Sequence, residues 1–590
     1  MKLNDESERI SIIIYIVIFA LLLLILRLWQ LQIIQGKEYM KISEANRMRM
    51  INIPAARGMI FDRNGTPLVK NSAYFYASLI PEDFNKNEIS SLSKILNVSS
   101  EEIFEKINKK ESSPFMPIRL KQGLSLSEVA YIEARRSDFP GLTIETEVSR
   151  EYIYGEVGSH LIGYLGKISP SQSKNPAFKN VHPDTFIGQW GVEKLFDNIL
   201  RGTPGKKIIE VNALGREIRL LQEKPPLKGQ DITLSLDINL LIEADRAFGK
   251  RAGALVAIKP DTGEILGLIS KPSFDPNLFT RGISYDNWLS LMEDKKTPML
   301  NRALQSQYPP GSTFKIVTAI AGLEEGVITP DTKVNCRGGV SYGKWHFGCW
   351  RKNGHRIVSL HRAIVESCDV YFYEAGRLLG IDKIHDYALN LGLGKKTGIE
   401  LGIEREGLIP NAQWKLKTQK LPWFPGETFV AAIGQGYISV TPLQMAVMIS
   451  SVSNGGNLFK PLLIKDSQPL LAGKTNIKPE TLEVIRKGLL GVVNDNGGTG
   501  WAAKSQLINI GGKTGTAQVV SLKKDSALLP ERFRDHAWFI ALAPVEKPEI
   551  ALSVLVEHGG HGGAVAAPIA KKTIEAYFNS QNKKTGPDSN

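Results

Sequence analysis

An apolar run near the start of the chain, Ile10–Leu26, limits its folding more than any other feature. It is apolar apart from Ser11, continues through Leu28 and Trp29, and meets its first charge at Arg27. A helix rises about 1.5 Å per residue, so about 20 such residues cross a hydrocarbon core of ~30 Å. Arg27 can snorkel to the polar boundary, and Trp29 suits the interface. A cleaved signal peptide is the competing reading. The run is long for the apolar core of one, and no small-x-small cleavage site follows before Gly36, so an uncleaved anchor is expected. Lys2 and Arg9 precede the run, whereas Arg27, Lys37, Lys41, Arg47 and Arg49 follow it. Counting positive charges thus points the large domain inward. Long domains translocate largely regardless of such charges, and the chemistry below places this one outside.

At 590 residues the chain exceeds one compact core, so two or more domains are expected. The net charge of +13 is spread along the chain. No basic stripe interleaves with aromatics and no nucleic-acid-binding motif is present, which argues against nucleic acid as a partner. A basic protein working near anionic lipid and wall polymer is the simpler reading.

Past the anchor, Pro54–Gly65 reads as a short strand entering an Asn64-Gly65 turn. Residues 66–230 mix short strands with helical stretches such as Glu101–Lys109 and Leu126–Arg136, and they hold no cluster of catalytic groups. They read as a spacer or docking module, with Glu223–Gly229 and its Pro225-Pro226 as a linker. From Asp231 the texture changes. A helix over Ile238–Arg251 precedes a hairpin of Ala254–Ile258 and Ile265–Ile269 across Pro260–Gly263. Near the C-terminus, Gly515–Val520, Ala537–Ala543 and Glu549–Val556 read as strands. A last helix covers Ala564–Phe578, with Pro568 expected in its first turn. Strands at both ends with helix-rich sequence between them predict an α+β domain whose sheet draws on both ends of the segment.

Single short motifs decide little here. Ser-x-x-Lys occurs at Ser312/Lys315 but also at Ser91/Lys94, Ser171/Lys174, Ser341/Lys344, Ser521/Lys524 and Ser580/Lys583; Lys-Thr-Gly occurs at Lys396, Lys513 and Lys584. Context selects among them. Pro309-Pro310-Gly311 cannot continue a helix, and the residues from Phe314 to Gly326 have helical apolar spacing, so Ser312 starts a helix where developing negative charge is favoured. A plain N-cap serine accounts for that position equally well. Lys315, one turn on at a helix start that disfavours a cation, points to a partly buried base for the hydroxyl. Ser367-Cys368-Asp369 follows the helical run Ser359–Glu366. Gly511–Gln518 is a glycine-flanked strand whose edge could pair with an extended peptide.

In order and context, Ser312–Lys315, Ser367–Asp369 and Lys513–Gly515 resemble the three motifs of the penicillin-binding proteins and serine β-lactamases. Gly434-Gln435-Gly436, Thr441–Gln444 and the Arg57-Gly58…Asp62-Arg63-Asn64-Gly65 stretch extend the resemblance over nearly the whole chain, to the class B penicillin-binding proteins of the rod-elongation system. One departure is Asp369, where the family's second motif usually has Asn, so the amide donor is absent.

The resemblance implies a peptidoglycan DD-transpeptidase acting in cell elongation and shape, and inhibited by β-lactams. Its catalytic residues would be Ser312 as nucleophile, Lys315 as base and Ser367 as proton relay. Asp369, Lys513, Thr514, Gly515 and Thr516 would bind substrate, and the N–H groups of Ser312 and Thr516 would form the oxyanion hole. It implies a cytoplasmic tail (1–9), an anchor (10–29), a dimerisation-type pedestal (30–230), a transpeptidase domain (231–578) and a flexible polar tail (579–590). The enzyme would sit in the inner membrane by a single pass, with its catalytic domain in the periplasm. Partners would be stem peptides, a SEDS-family glycosyltransferase and other rod-complex membrane proteins. A DD-carboxypeptidase or β-lactamase-like hydrolase, and a non-catalytic sensor or scaffold, are the alternatives.

All three cysteines fall within 33 residues, at Cys336, Cys349 and Cys368, with His355 between the last two. The odd count and the clustering favour a closed Cys3His structural zinc site bracing the Ser367 loop from behind. One disulfide plus a spare thiol is the alternative, and His346 and His361 are reserve ligands.

Overall fold

The computed structural model describes residues 3–108, 117–179, 181–182, 185–212, 217–519 and 530–585. The N-terminal run forms helix α1, Leu3–Trp29, which continues as one π-turn over Gln30–Ile34. Every side chain from Ile10 to Trp29 is exposed, and within the 25 residues Ile10–Ile34 an 18-residue window has a mean hydropathy of 2.9. Such a helix is roughly 37 Å long, enough for a bilayer core. This is one apolar N-terminal helix, consistent with a single-pass anchor.

The rest divides into two compact units. One comprises residues 1–57, 72–149 and 202–229. In it Met48–Ile53, Gly205–Val211 and Glu217–Lys224 make a three-stranded antiparallel sheet. A separate small core gathers Leu79, Leu92, Leu96, Ile103, Leu120 and Leu142 from flanking helices and strands. The helices predicted over Glu101–Lys109 and Leu126–Arg136 are Ser100–Asn108 and Leu126–Ala134. Glu223 and Lys224, expected in a linker, end a strand instead, which Pro225 then stops.

The second unit comprises residues 58–71, 150–201 and 230–590, so it takes in two segments that the sequence assigns to the pedestal. Ordered along the chain, its principal elements are α2 (Ile238–Phe248), β1 (Gly253–Ile258), β2 (Ile265–Lys271), α3 (Lys315–Glu324), β3 (Gly339–Tyr342) and β4 (Trp345–Gly348). Then come α4 (Asp369–Leu379), α5 (Pro425–Ala432), α6 (Pro442–Ser453), α7 (Pro479–Asn494), β5 (Gly511–Ala517), β6 (His536–Ala543), β7 (Ile550–Val556) and α8 (Gly562–Thr585). Five strands make one antiparallel sheet in the order β2-β1-β7-β6-β5. The expected α+β domain, with its sheet assembled from both ends of the segment, is the one observed.

Both faces of this sheet are covered, so β1, β2, β6 and β7 read as largely apolar runs, whereas β5 carries Lys513 and Thr514. Along β6, Ala537, Phe539 and Ala541 join the core that contains α2 and α8, whereas Trp538, Ile540 and Leu542 join the core of α3, α4, α6 and α7. The period-two alternation thus separates two apolar layers, not an apolar and a polar one. Strand β5 ends at Ala517, short of the predicted Val520, which lies outside the described residues. Helix α8 starts at Gly562, so Pro568 falls in its second turn and not its first. It also runs on to Thr585, through part of the tail that the sequence suggested was flexible.

The two early segments are tied in by specific chemistry. A Cβ on Gly58 would sit 1.8 Å from the Gln230 carbonyl oxygen, so only glycine fits. The Asp62 carboxylate accepts from the Asn64 and Thr66 N–H groups, both at 2.8 Å, and from the Ile238 N–H at 3.3 Å where α2 begins. Arg150, fully enclosed, donates to Glu193 at 2.8 Å and to the Gly58 carbonyl at 2.6 Å. Breaking a buried pair strands the surviving charge, at a cost of about 3–5 kcal/mol. Glu193→Ala is therefore expected to lower the stability of this unit by about that much, read as a lower denaturation midpoint.

Candidate active site

Ser312 lies in a 3₁₀ turn, Gly311–Phe314, that leads directly into α3. The turn is pressed against the open edge of β5. Gly311 has φ +55°, and a Cβ there would stand 2.6 Å from the Thr516 carbonyl oxygen. A Cβ on Gly515 would meet the Pro310 carbonyl oxygen at 2.8 Å. Glycine on both sides is what lets the serine turn and the edge strand approach. The indole of Trp538, on β6, donates to the Pro309 carbonyl at 2.9 Å and holds the turn from below.

Lys315 is fully buried one step along the same helix. Its Nζ donates to the Ser367 carbonyl at 2.9 Å, to Ser367 Oγ at 3.2 Å and to Asp369 Oδ1 at 2.7 Å. Ser367 adopts a left-handed φ of +54°, a sparsely populated conformation for serine. Lys513, also fully buried, donates from Nζ to the same Ser367 Oγ at 2.8 Å and to the Thr514 carbonyl at 3.0 Å. One hydroxyl therefore sits between two amines. Burial first, then the charge of Lys315, push the Lys513 amine well below the usual lysine range, while Asp369 pulls the other way. Among the described residues, this Lys-Thr-Gly sequence is the one that stands on the sheet edge. At Lys396, Thr397 and Gly398 donate their N–H groups to Glu404, and Gly586 lies outside the described residues.

Asp369 has both oxygens occupied: Oδ1 by Lys315, and Oδ2 by the Trp350 N–H at 2.8 Å. An asparagine has one acceptor oxygen and would turn its NH2 toward one of these two donors. The acidic residue suits its neighbours, and it is spent on them. The sequence reading assigned no role to three further residues. The Thr499 hydroxyl pairs with Thr514 Oγ1 at 2.8 Å, Gln435 Nε2 donates to the Thr516 carbonyl at 3.0 Å, and Trp350 Nε1 donates to the Ser367 carbonyl at 3.0 Å. Gln435 had its glycine neighbours as a signal; Thr499 and Trp350 had none.

The cysteines are free thiols and, with His355, are buried in one cluster directly behind Ser367. The four ligand atoms lie within 4.8 Å of one another. His355 Nδ1 is 3.6 Å from Cys336 Sγ and 3.5 Å from Cys349 Sγ. A tetrahedral ion with bonds of about 2.0 Å to nitrogen and 2.3 Å to sulfur needs an S···N separation of about 3.6 Å, so the set fits a metal. Hydrogen bonds from Cys368 and His355 lower the Cys349 thiol, while that neighbour and burial raise Cys368. The reserve ligands are elsewhere: His346 pairs with Ser341, and His361 with Asp495.

Residues 253–575 match the penicillin-binding protein transpeptidase domain and residues 52–234 the penicillin-binding protein dimerisation domain. With this fold and this site, the chain belongs to the class B penicillin-binding proteins, the peptidoglycan D,D-transpeptidases of the elongation type. It is 38% identical to the peptidoglycan D,D-transpeptidase MrdA of Acinetobacter baumannii, over 98% of this chain and 88% of that protein. Penicillin-binding protein 2 of Helicobacter pylori, solved in complex with MreC, superposes with a TM-score of 0.77 at 31% identity, covering 90% of this chain and 99% of that one. A structure described as coordinating polymerisation and crosslinking in a peptidoglycan synthase complex matches with a TM-score of 0.75 at 31% identity, over 97% and 98% of the two chains.

Replacing Asp369 by Asn is expected to slow acylation by a penicillin about 10- to 100-fold and to cost about 1–3 kcal/mol of stability, because one buried donor loses its acceptor. Stopped-flow acylation and thermal unfolding of the variant measure both.

Proposed function

We propose that Ser312 Oγ attacks the carbonyl carbon of the penultimate D-alanine of a stem peptide ending in D-Ala-D-Ala. Lys315, as the free amine, takes the hydroxyl proton as the new C–O bond forms. The tetrahedral oxyanion is held by the N–H groups of Ser312 and Thr516. In support, the Thr516 carbonyl and N–H lie on the open edge of β5 against the serine turn, where a Cβ on Gly311 would meet them at 2.6 and 3.2 Å. Donors aimed at developing charge are usually the largest electrostatic contribution to acyl transfer.

Collapse of that intermediate breaks the peptide C–N bond, and the leaving D-alanine amine takes a proton through Ser367. The observation that carries this reading is the placement of Ser367 Oγ within 3.2 Å of Lys315 Nζ and 2.8 Å of Lys513 Nζ, which joins both amines through one hydroxyl. Lys513 and Thr514, beside Gly515, hold the terminal carboxylate. The amine of a second stem then attacks the Ser312 ester, forms the crosslink and returns the serine hydroxyl. Asp369 serves here through Lys315, as a positioning residue. A penicillin enters the same cycle and stops at the ester. Intact-mass and peptide mapping after penicillin treatment should place the adduct on Ser312, and Ser312→Ala should lose it entirely; an adduct on the Ala variant would refute the assignment.

A zinc ion behind Ser367 would be held by Cys336, Cys349, His355 and Cys368. Four protein ligands leave no open position, so it braces the Ser367–Asp369 loop and takes no part in the acyl transfer. Elemental analysis of protein purified without added metal should find about one zinc per chain. Chelation should lower the melting temperature, and more readily at acidic pH, where protons compete with the metal for the thiolates and the imidazole.

The single apolar helix supports an inner-membrane anchor, which would leave the pedestal and the catalytic domain in the periplasm, where the wall is built. The relatives solved with MreC and in a synthase complex support docking to rod-complex membrane proteins, including a SEDS-family glycosyltransferase.

A further inference from the structure

Beside the site lies a second concavity that none of the roles above employs. Its volume is about 590 Å³, within the range of small-ligand sites. One wall is the β3–β4 hairpin, which offers Tyr342, Trp345 and Phe347; the opposite wall is Trp423 and Phe424 with Tyr437. Trp345 is 64% exposed, Phe424 49% and Tyr342 43%. Aromatic faces left open on both sides of one groove do nothing for the folded core, and such patches mark binding surfaces.

The walls are rigid. Phe347 packs on Phe429 with ring centres 4.8 Å apart, and Tyr342 packs on the same ring at 5.6 Å. Cys336 precedes the hairpin and Cys349 follows it, so both its ends are pinned in the buried Cys3His cluster. On the other side the buried Lys415 ammonium lies 4.4 Å over the Phe424 ring and bonds both oxygens of Glu427. Glu427 is the one formally charged residue of the lining, and it is already neutralised.

Gln435 links the groove to the reaction cleft: it lines the groove while its amide donates to the Thr516 carbonyl on the β5 edge. A stem peptide laid on that edge has its reacting end at Ser312 and its other end leading to sugar. Among the lining residues, carboxylates and amines of a peptide would find no unpaired charge; the nearby cation, Lys344 at the hairpin tip, stands 5.6 Å over the Trp345 ring. A pyranose, uncharged, with apolar C–H faces and a rim of hydroxyls, finds flat aromatic surfaces and the phenol groups of Tyr342 and Tyr437.

We propose that this groove is a subsite for the disaccharide that carries the donor stem, a neutral pair of pyranose rings stacked between the hairpin and the Trp423–Phe424 wall. The inference rests on the Ser312 reading above and adds the sugar to what the enzyme recognises. Full-length protein with Trp345→Ala or Trp345→Phe tests it against three ligands: a penicillin, a disaccharide-pentapeptide and the same pentapeptide without sugar. The expected result is a KM for the disaccharide-pentapeptide about tenfold higher in Trp345→Ala and near the parent value in Trp345→Phe, as loss of one aromatic contact predicts. The KM for the free pentapeptide and the rate of penicillin acylation should stay at the parent values in both variants. An equal rise for both pentapeptides would assign the groove to peptide and overturn the proposal, as would no change with either. If Trp345→Ala disturbs penicillin acylation, Phe424→Ala on the opposite wall supplies the same comparison. Should the parent protein itself fail to label at Ser312, the nucleophile assignment falls. The sugar subsite is then judged directly, by quenching of tryptophan fluorescence with the disaccharide alone, and absence of quenching would sink it too.

Discussion

Two lysine amines buried on one serine hydroxyl are the constraint around which this domain is organised. Lys315, Ser367 and Lys513 come from three distant parts of the chain, and all three are enclosed. A buried ammonium is tolerated only where partners replace its lost water. Lys315 has a carbonyl, a hydroxyl and a carboxylate; Lys513 has a hydroxyl and a carbonyl, and its burial loosens its proton. The helix α3, the Ser367 loop and strand β5 must therefore meet at one point, and the two apolar layers on either side of the sheet fix them there.

The Ser367 loop holds backbone strain at the centre of the site. Its serine has a left-handed backbone, the residue after it faces the cysteine cluster, and the next supplies a carboxylate to Lys315. Conformations of this kind persist only where surroundings over-determine them. Here Trp350 binds the loop from one side through the Ser367 carbonyl and Asp369, and the cluster holds it from behind. The choice of Asp over Asn follows from this arrangement, since both neighbouring groups are donors.

Much of this was legible in the sequence. Strands with both faces buried read as plain apolar runs, and Ser312, Ser367 and Lys513 stood out from look-alike motifs by their glycines, prolines and flanking helices. The clustered cysteines and His355 were visible by count alone. What escaped depends on contacts between residues far apart. Thr499 meets Thr514 only because the loop after α7 folds back on β5, and nothing local marks it. Residues 58–71 and 150–201 read as part of the pedestal because sequence order suggests contiguity, yet a missing Cβ at Gly58 and a buried Arg150–Glu193 pair bind them into the other unit. Pro568 breaks a rule about helix interiors because α8 begins two residues earlier than its apolar pattern shows.

The amide of Gln435, resting on the Thr516 carbonyl, is a placeholder. A bare strand edge invites pairing with any passing extended segment. With that carbonyl already occupied, an incoming chain trades one hydrogen bond for another and gains little from backbone pairing alone. Discrimination is thereby handed to whatever else the visitor brings, so indiscriminate stickiness at the edge is turned into selectivity for shape.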